Sequence, residues 1–304
     1  MLNLNRLALL QELHRRGTVV AVADALSFTP STVSQQLKVL EREVGAPLVE
    51  RVGRGLQLTR EGELLAKRAT RIFAEVEGAE AQVAAVGQQA RGDVKVAALQ
   101  TASLALIPRT LVALDQVDPH PRMVVSRIEP HRALNALEAR EYDIVLGEEY
   151  PGLPVSRRDD VHFAPLVRDP LELVVPLDYE GEGDLRAAAE CLPWVMELQG
   201  SDARRWSVGL CREQGFEPEV QFESDDLLVQ MRLVETGHAI GILPKLLLDS
   251  EKPKLRRIRL AEDPARLVFV ASRAGASNAP AIRAVLNALA DAAHAPGDAT
   301  ESNI

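Results

Sequence analysis

The chain has few of the residues that build disulfide frameworks, metal sites and membrane spans. Only two cysteines occur among its 304 residues, Cys191 and Cys211, with no C-x-x-C pair and no histidine cluster nearby. This spacing argues against a disulfide framework and against a structural zinc site. No apolar run approaches the roughly 18 residues that a membrane span needs, and no signal-peptide pattern is present. We therefore expect a cytoplasmic protein with no metal, no cofactor and no membrane partner.

Catalytic motifs are also missing. The six histidines are scattered along the chain, and none stands in a Ser/His/Asp or Cys/His arrangement. An enzyme needs such a constellation, or a cofactor motif, to supply its chemistry. We therefore do not expect an enzyme.

The net charge of −9 hides an uneven distribution along the chain. Residues 1–60 contain eight basic and five acidic residues, a net charge of +3, whereas residues 61–90 carry −2 and the remainder −10. DNA phosphates attract a basic segment. Any contact with nucleic acid is therefore expected within the first 60 residues.

Helical patterns fill the first half of this basic segment. One apolar pattern begins at Leu4 and stops at Gly17, and a second short helix covers residues 20–26. Thr29 can cap a third helix, and Pro30 suits its first position, so residues 30–43 are predicted to be helical. An apolar stripe on this helix is expected to face a core; its members are Val33, Leu37, Leu40 and Val44.

The other face of the third helix carries short polar side chains in its first two turns. Such groups reach base edges and phosphates when the start of a helix enters the major groove. The DNA-binding candidates at this helix are Thr29, Pro30, Ser31, Thr32, Ser34, Gln35 and Lys38. Taken alone, the same pattern also fits a solvated amphipathic helix with good caps.

The segment "PLVERVGRGLQLTREG" at residues 47–62 favours a DNA role. It predicts a strand, a glycine-containing turn, a second strand and then a helix capped by Thr59. A β-hairpin directly after a polar helix is typical of a winged helix-turn-helix. Arg51 and Arg54 would lie in the wing, where a phosphate or the minor groove can meet them.

A family resemblance follows from these residues. The stretch "ALSFTPSTVSQQLKVLEREVGAPLVERVGRGLQLTREGELL" resembles the N-terminal domain of LysR-type transcriptional regulators, with the pattern "LE.E.G.PL..R" before the wing and "LT..G" after it. It departs from the family at Pro30 and Ser31, where Gln-Pro is frequent, and at Gln35, where arginine is frequent. The resemblance implies a homodimer or homotetramer on an inverted-repeat promoter site, with RNA polymerase as a further partner.

Residues 61–90 are predicted to form a long linker helix. Apolar or small residues recur there in alternating steps of four and three, which is typical of a coiled-coil seam. These are Leu65, Ala69, Ile72, Val76, Ala79, Val83 and Val86. In the resembling family this helix pairs two subunits; packing on the chain's own body is the alternative.

Strands and helices alternate after a polar, glycine-flanked stretch at residues 87–96. This alternation predicts an α/β fold whose parallel sheet is covered on both faces. We expect "SLALIPRTLVAL" to be one helix and "VHFAPLV" and "LELVVP" to be two strands. The resemblance implies a two-lobed effector-binding domain at 91–304, similar to periplasmic binding proteins. Lobe I would cover about 91–163 and 266–295, lobe II about 164–265, and a disordered tail 296–304.

Open α/β sheets bind ligands beyond the carboxyl ends of their strands. The effector-binding candidates placed there are Gln100, Thr101, Ser103, Glu129, Glu148, Gln199, Ser201, Asp202 and Ser224, with His131, Glu149 and Asp225 beside them. The resemblance singles out Thr101, which matches a hydroxyl that the family often uses on an effector. Several of these residues are equally suited to plain helix caps.

The acidic balance of these candidates suits an amine-bearing effector such as a basic amino acid. Arg204, Arg205 and His131 would instead hold the carboxylate of an amino acid or another small metabolite. Some members of the family sense oxidants through two cysteines, whereas buried cysteines usually only pack. A rival interpretation is a small-molecule binding protein without a DNA function.

Overall fold

A computed structural model of the protein describes residues 1–26, 28–52, 55–87, 90–116, 118–128, 130–158, 160–181 and 184–294, with the backbone alone at 130–131. The chain divides into two compact units. The first comprises Met1–Val86 with Ala274–Asn278, and the second comprises Gly87–Arg273 with the chain from residue 279 onward. The predicted tail at 296–304 lies outside the described residues.

The first unit consists of four helices and a two-stranded hairpin. In chain order these are α1 (Leu4–Arg16), α2 (Val19–Ala25), α3 (Pro30–Val44), β1 (Val49–Val52), β2 (Gly55–Leu58) and α4 (Arg60–Val86). The hairpin is antiparallel, so the predicted order of helix, wing and capped helix is confirmed. The oxygen Oγ1 of Thr59 accepts a hydrogen bond from the backbone N–H of Gly62 at 3.0 Å, which fixes the start of α4.

The core of the first unit lies between α1, α2, α3 and the start of α4. Val33, Leu37 and Leu40 of α3 are fully buried there, as the stripe predicts. Val44, assigned to the same stripe, is instead 37% exposed. It is the last residue of α3, and Gly45 turns the chain away with a left-handed φ of 78°, so the helix ends before this position reaches the core.

The two halves of α4 have different surroundings. Ala69 and Phe73 in the first half pack against Leu7 of α1. Val83 and Val86 in the second half are 75% and 88% exposed. The seven-position seam therefore divides: its first half packs on the chain's own fold, and its second half leaves apolar side chains uncovered within the chain.

The second unit contains the other strands and helices. They are β3 (Asp93–Ala98), α5 (Gln100–Ala105), α6 (Ile107–Leu114), β4 (Arg122–Arg127), α7 (Pro130–Glu138), β5 (Ile144–Glu149), β6 (Val161–Pro176), α8 (Leu185–Cys191), β7 (Trp194–Met196), α9 (Asp202–Glu213), β8 (Val220–Glu223), α10 (Leu227–Glu235), β9 (Gly241–Pro244), α11 (Lys245–Glu251), β10 (Leu255–Arg259), β11 (Ala265–Arg273) and α12 (Pro280–His294). The segment expected as one helix is two, α5 and α6, with Pro108 in the first turn of the second. Proline suits that first turn because it has no N–H to donate.

Seven strands form a mixed sheet in the order β10-β6-β11-β5-β3-β4, with β9 also paired to β6. Strand β3 runs parallel to β4 and β5, as predicted. Strand β11 is antiparallel to β5 and β6, and β6 is antiparallel to β9 and β10. A fully parallel sheet was therefore a wrong expectation, because β6 and β11 carry the chain out of one half of the sheet and back.

Strand β6 is one continuous strand of 16 residues where two were expected. Residues 161–170 pair with β11, and residues 171–176 pair with β9 and β10. Each half of the sheet has its own apolar cluster, one around Leu137 and Phe269 and one around Leu173 and Trp194. The predicted division between residues 163 and 164 falls inside this strand.

Candidate functional site

Hydroxyl groups close the start of α3. The oxygen Oγ1 of Thr29 accepts from the backbone N–H of Thr32 at 3.1 Å and lies 2.8 Å from the hydroxyls of both Ser31 and Thr32. Ser34 donates its hydroxyl to the carbonyl of Pro30 at 2.9 Å. These bonds satisfy polar groups in the first turn of the helix. Some of the hydroxyls proposed for DNA contact therefore also cap α3, as the alternative interpretation of the sequence expects.

A polar stripe runs along the exposed face of α3. Ser31, Gln35, Lys38 and Arg42 are all exposed and follow one another at steps of four, three and four. The side chains of Gln35 and Lys38 form no hydrogen bond or ion pair with any described residue, and Arg42 only reaches the carbonyl of Lys38 at 3.4 Å. The sequence reasoning missed Arg42, although its spacing from Lys38 places it on the same face. We call these four residues the α3 stripe.

The wing is held against α3 by one carboxylate. Glu41 accepts hydrogen bonds from the backbone N–H groups of Leu48 and Val49 at 2.9 and 3.1 Å. Strand β1 is thereby fixed to the last turns of α3, and its Arg51 is exposed. Arg54 lies outside the described residues.

This arrangement has the chemistry of a DNA-reading helix. The major groove is about 12 Å wide and admits one α-helix. An amide such as that of Gln35 can pair with a base edge, while the cations of Lys38 and Arg42 can pair with phosphates.

A cavity of about 590 Å³ lies in the second unit. It is bounded by α7, by β5, by the loop before β6, by the loops after β7 and β8, and by the start of α9. Its apolar wall includes Leu134, Val145, Val155 and Phe269. Gly147 belongs to the same wall, where a Cβ atom would overlap the ring of Phe269. A volume of this size suits a small metabolite.

Four carboxylates and two guanidinium groups also line the cavity: Glu148, Glu197, Asp202, Asp225, Arg158 and Arg205. Both arginines already have acidic partners, since Arg158 pairs with Glu138 and Arg205 pairs with Asp202. Glu197 and Asp225 form no ion pair with a described residue. The cavity lining therefore has an excess of negative charge.

Burial changes the acidity of two of these carboxyl groups. It raises the pKa of Glu197 to about 7, and the nearby Glu148 adds to that rise. Burial also raises the pKa of Glu148, against the opposing effect of Arg266. Both shifts have the same cause, the loss of hydration that a carboxylate needs.

Arg266 lies at the centre of a buried cluster beside the cavity. Its Nη2 donates to Oδ2 of Asp169 at 2.8 Å and to the hydroxyl of Thr101 at 2.6 Å, and its Nη1 pairs with Glu148. Oδ1 of Asp169 accepts from the backbone N–H of Leu246 at 2.7 Å. Although burial opposes charge on Arg266, the two carboxylates raise its pKa. The cluster joins α5, β5, β6, β11 and α11, and Glu148 connects it to the cavity.

The structure brings four of the predicted effector residues together at the cavity. Glu148, Gln199, Ser201 and Asp202 all line it, and Asp225 lines it as well. Ser201 also caps α9 by accepting from the backbone N–H of Arg204 at 3.1 Å. Glu197 was missed, because a single acid after a short strand carries no local signal of its burial.

Other candidates have structural partners and do not line this cavity. Thr101 is fully buried against Arg266, and Ser103 donates to the carbonyl of Leu99 at 3.0 Å. Gln100 donates to Asp226 at 2.7 Å, and Ser224 accepts from the backbone N–H of Asp226 at 3.1 Å.

Three further candidates lie apart from the cavity or outside the described chain. Glu149 accepts from the backbone N–H of Val155 at 2.7 Å and pairs with Arg157. Glu129 lies outside the described residues, as does the side chain of His131.

Both cysteines are free thiols. Cys191 is exposed at the end of α8, and Cys211 is fully buried in α9. Burial raises the pKa of Cys211 to about 12. No group of His, Cys, Asp and Glu suited to a metal ion occurs among the described residues, nor does a helix long and apolar enough to cross a membrane.

Known proteins of one family resemble the chain over nearly its whole length. The family model for the LysR substrate binding domain matches residues 87–294, and that for the bacterial regulatory helix-turn-helix protein of the lysR family matches residues 4–63. The DNA-binding transcriptional dual regulator OxyR of Escherichia coli strain K12 is 25% identical over 241 residues, which cover 76% of this chain and 75% of OxyR. The regulator TfdS of Cupriavidus pinatubonensis is 24% identical over 271 residues, covering 89% and 92% of the two chains.

Solved structures have the same fold. A full-length OxyR variant from Pseudomonas aeruginosa matches with a TM-score of 0.65 at 24% identity, covering 97% of this chain and 95% of the other. Full-length CbnR in complex with its target DNA matches with a TM-score of 0.54 at 19% identity, covering 96% and 100%. Members of this family regulate transcription and are not enzymes. The chain belongs to the LysR family of DNA-binding transcriptional regulators, with an N-terminal helix-turn-helix and a C-terminal effector-binding substrate domain.

Proposed function

We propose that α3 enters the major groove of promoter DNA and reads its bases through the α3 stripe, while Arg51 in the wing contacts the backbone. One observation supports this assignment most strongly. The side chains of Gln35 and Lys38 form no hydrogen bond or ion pair with a described residue, and they lie on the face opposite the buried Val33 and Leu37. A polar face with no partner in the protein is available to a duplex. Ser31 and Thr32 would add hydroxyl contacts at the start of the helix, where free N–H groups favour a phosphate.

We infer that the chain acts as a homodimer or homotetramer on an inverted-repeat site. The exposed Val83 and Val86 on the second half of α4 support pairing with the same helix of a second copy. The matched CbnR structure is described as a complex with target DNA, which fits this inference. DNA lies in the bacterial cytoplasm, so the proposed location is cytoplasmic, where RNA polymerase is a possible further partner.

The cavity between α7 and the start of α9 is the proposed effector site. Its lining joins apolar side chains with polar groups on several loops, as small-molecule sites do. Glu148, Gln199, Ser201 and Asp202 would contact the effector there. Thr101 would act through Arg266 rather than by direct contact, because its hydroxyl is engaged by that guanidinium.

A gel-shift assay with the chain's own promoter region tests this function. The proposal expects a discrete shift by the wild-type chain that Lys38→Ala weakens and that Gln221→Ala, at an exposed glutamine on β8, leaves unchanged. No shift on this DNA, together with intact small-molecule binding, would favour the rival protein that binds small molecules without a DNA function.

A further inference from the structure

We propose that the effector cavity selects a cationic ligand, an amine or guanidine attached to an apolar body. This inference rests on the proposed effector site and deepens it by naming the class of ligand.

The two arginines at the cavity are engaged by the protein itself. Arg158 pairs with Glu138 and donates to the side-chain oxygen of Asn135 at 3.2 Å. Arg205 pairs with Asp202 at the first turn of α9. The charge of each guanidinium is therefore already balanced by a carboxylate, and neither arginine adds an unpaired positive charge to the cavity.

The acids outnumber the cations that could neutralise them. The buried Arg266 serves Glu148 and Asp169 together, one guanidinium for two carboxylates. The carboxylates of Glu197 and Asp225 form no ion pair with a described residue, although Arg204 and Arg127 donate to the backbone carbonyls of these two residues at 3.1 Å. Transfer of a carboxylate out of water is costly unless a cation compensates it. Glu197 is the half-buried carboxyl to which this cost applies, whereas Asp225 is exposed and adds a second negative charge near it. A ligand cation beside Glu197 would supply the compensation.

The rest of the cavity suits an apolar ligand body. Apolar side chains from α7, β5, β11 and the loop before β6 line this part of the cavity: Leu134, Val145, Phe269 and Val155. The acids Glu197 and Asp225 come from the loops after β7 and β8. A ligand with a charged end and a hydrocarbon or aromatic end satisfies both sets of groups.

Protonation of Glu197 makes this selection depend on pH. Burial is the main cause of the raised pKa of its carboxyl; Glu148 and Asp225 raise the pKa further, whereas Ser201 and Arg266 lower it. Because its pKa is about 7, the carboxyl is largely neutral in mildly acidic solution and ionised above neutrality. A bound cation favours the ionised form, so binding releases a proton at pH 6 and is stronger at pH 8.

The experiment compares three six-carbon probes on the full-length chain: 1-hexylamine, hexanoate and 1-hexanol. Calorimetry and thermal shift are measured at pH 6 and pH 8 for the wild type, Glu197→Gln, Asp225→Asn and the exposed control Glu213→Gln. Millimolar hexylamine is expected to bind and to raise the melting temperature, and its affinity should be about tenfold higher at pH 8 than at pH 6 because Glu197 ionises over that range. Glu197→Gln should abolish the pH dependence and lower the affinity, whereas Glu213→Gln should bind as the wild type does.

Three results would overturn the proposed class. The first is tighter binding of hexanoate or hexanol than of the amine, the second is no response to the amine, and the third is an amine response that survives in both Glu197→Gln and Asp225→Asn. A cavity-blocking variant, Ser156→Trp, separates this failure from failure of the effector site. Loss of hexanoate binding in Ser156→Trp would keep the site and reject only the cationic class, while a probe that binds Ser156→Trp normally would place the ligand elsewhere.

Discussion

The side chain of Gln100 holds the carboxylate of Asp226, with Nε2 of Gln100 donating to Oδ1 of Asp226 at 2.7 Å. The other end of the same amide, Oε1, accepts from the backbone N–H of Leu227 at 2.9 Å. Asp226 in turn caps α10 by accepting from the backbone N–H of Leu228 at 2.9 Å. Gln100 at the start of α5 therefore fixes the start of α10, although the two residues are 126 positions apart.

Gln100→Ala should lower the stability of the effector-binding unit by about 1 to 3 kcal/mol, because two hydrogen bonds are lost and a helix start is left less well satisfied. Denaturant unfolding measures this change. Gln221→Ala, an exposed glutamine on β8, is the matched control and should unfold as the wild type does. Equal stability of the two variants would show that the amide bridge is unimportant.

The same bridge predicts a pH dependence. The hydrogen bond from Gln100 lowers the pKa of Asp226 below its ordinary value. A carboxyl group whose folded-state pKa is depressed stabilises the fold above its unfolded-state pKa, and this contribution is lost as the pH falls through the folded-state pKa. The stability difference between wild type and Gln100→Ala should therefore be largest near neutrality and shrink in acid. A difference that grows as the pH falls would contradict the assignment.

Arg266→Met should destabilise the chain by about 3 to 5 kcal/mol, because it leaves Asp169 and Glu148 without their shared cation in a buried site. The control is Arg168→Met on β6, whose pair with Asp263 is exposed, and which should change stability by less than about 1 kcal/mol. Thermal or denaturant unfolding compares the two. Similar losses in both variants would mean that the buried cluster contributes no more than a surface pair.

Val83→Glu should weaken self-association at least about tenfold, or about 1.4 kcal/mol, because it places a charge on the exposed seam of α4. Ala85→Glu makes the same charge change on the opposite face of the helix and should leave association intact. Sedimentation equilibrium of the full-length chain reports the mass. Dimers of unchanged affinity in Val83→Glu would remove α4 from the proposed interface.

Peroxide should not alter DNA binding through Cys211. A thiol with a pKa of about 12 is ionised in only about one molecule in 100,000 at neutral pH, and the thiolate is the form that reacts. Several relatives are described as hydrogen peroxide-inducible genes activators, so the test is informative. Mass spectrometry after peroxide treatment should find Cys211 unmodified, and the DNA-binding curves of wild type and Cys191→Ser should stay the same. Oxidised Cys211 with altered DNA binding would contradict this expectation.

Local signals were sufficient to locate the ends of α3. Thr29, Pro30 and Gly45 mark the ends of α3 in sequence because capping, proline placement and left-handed turns depend on neighbouring residues alone.

The sequence did not predict the edge strand β10. Its Leu255 is buried and its Ile258 is half-buried, but the arginines at 256, 257 and 259 obscure the alternation of apolar and polar residues that indicates a strand. Charged residues are common on such edges.

Long-range pairing limited the prediction of the effector site. Arg266 meets Asp169 and Thr101 across 97 and 165 positions, and no spacing rule in one sequence reveals such contacts. Strand ends indicated four residues that line the cavity, Glu148, Gln199, Ser201 and Asp202, because loops after strands converge on one edge of a sheet. The same rule could not tell a cavity-lining side chain from one that caps a helix.

The most direct test of the central claim measures the affinity of wild type, Gln35→Ala and Arg51→Ala for the chain's own promoter duplex and for a scrambled duplex. Fluorescence anisotropy over a range of salt concentrations gives both affinity and salt dependence. We expect Gln35→Ala to lose about 1 to 3 kcal/mol of binding free energy on the promoter and little on the scrambled duplex, and Arg51→Ala to weaken binding to both and to flatten the salt dependence. Equal losses from both variants on both duplexes, or no loss from Gln35→Ala, would contradict the claim that α3 reads the bases.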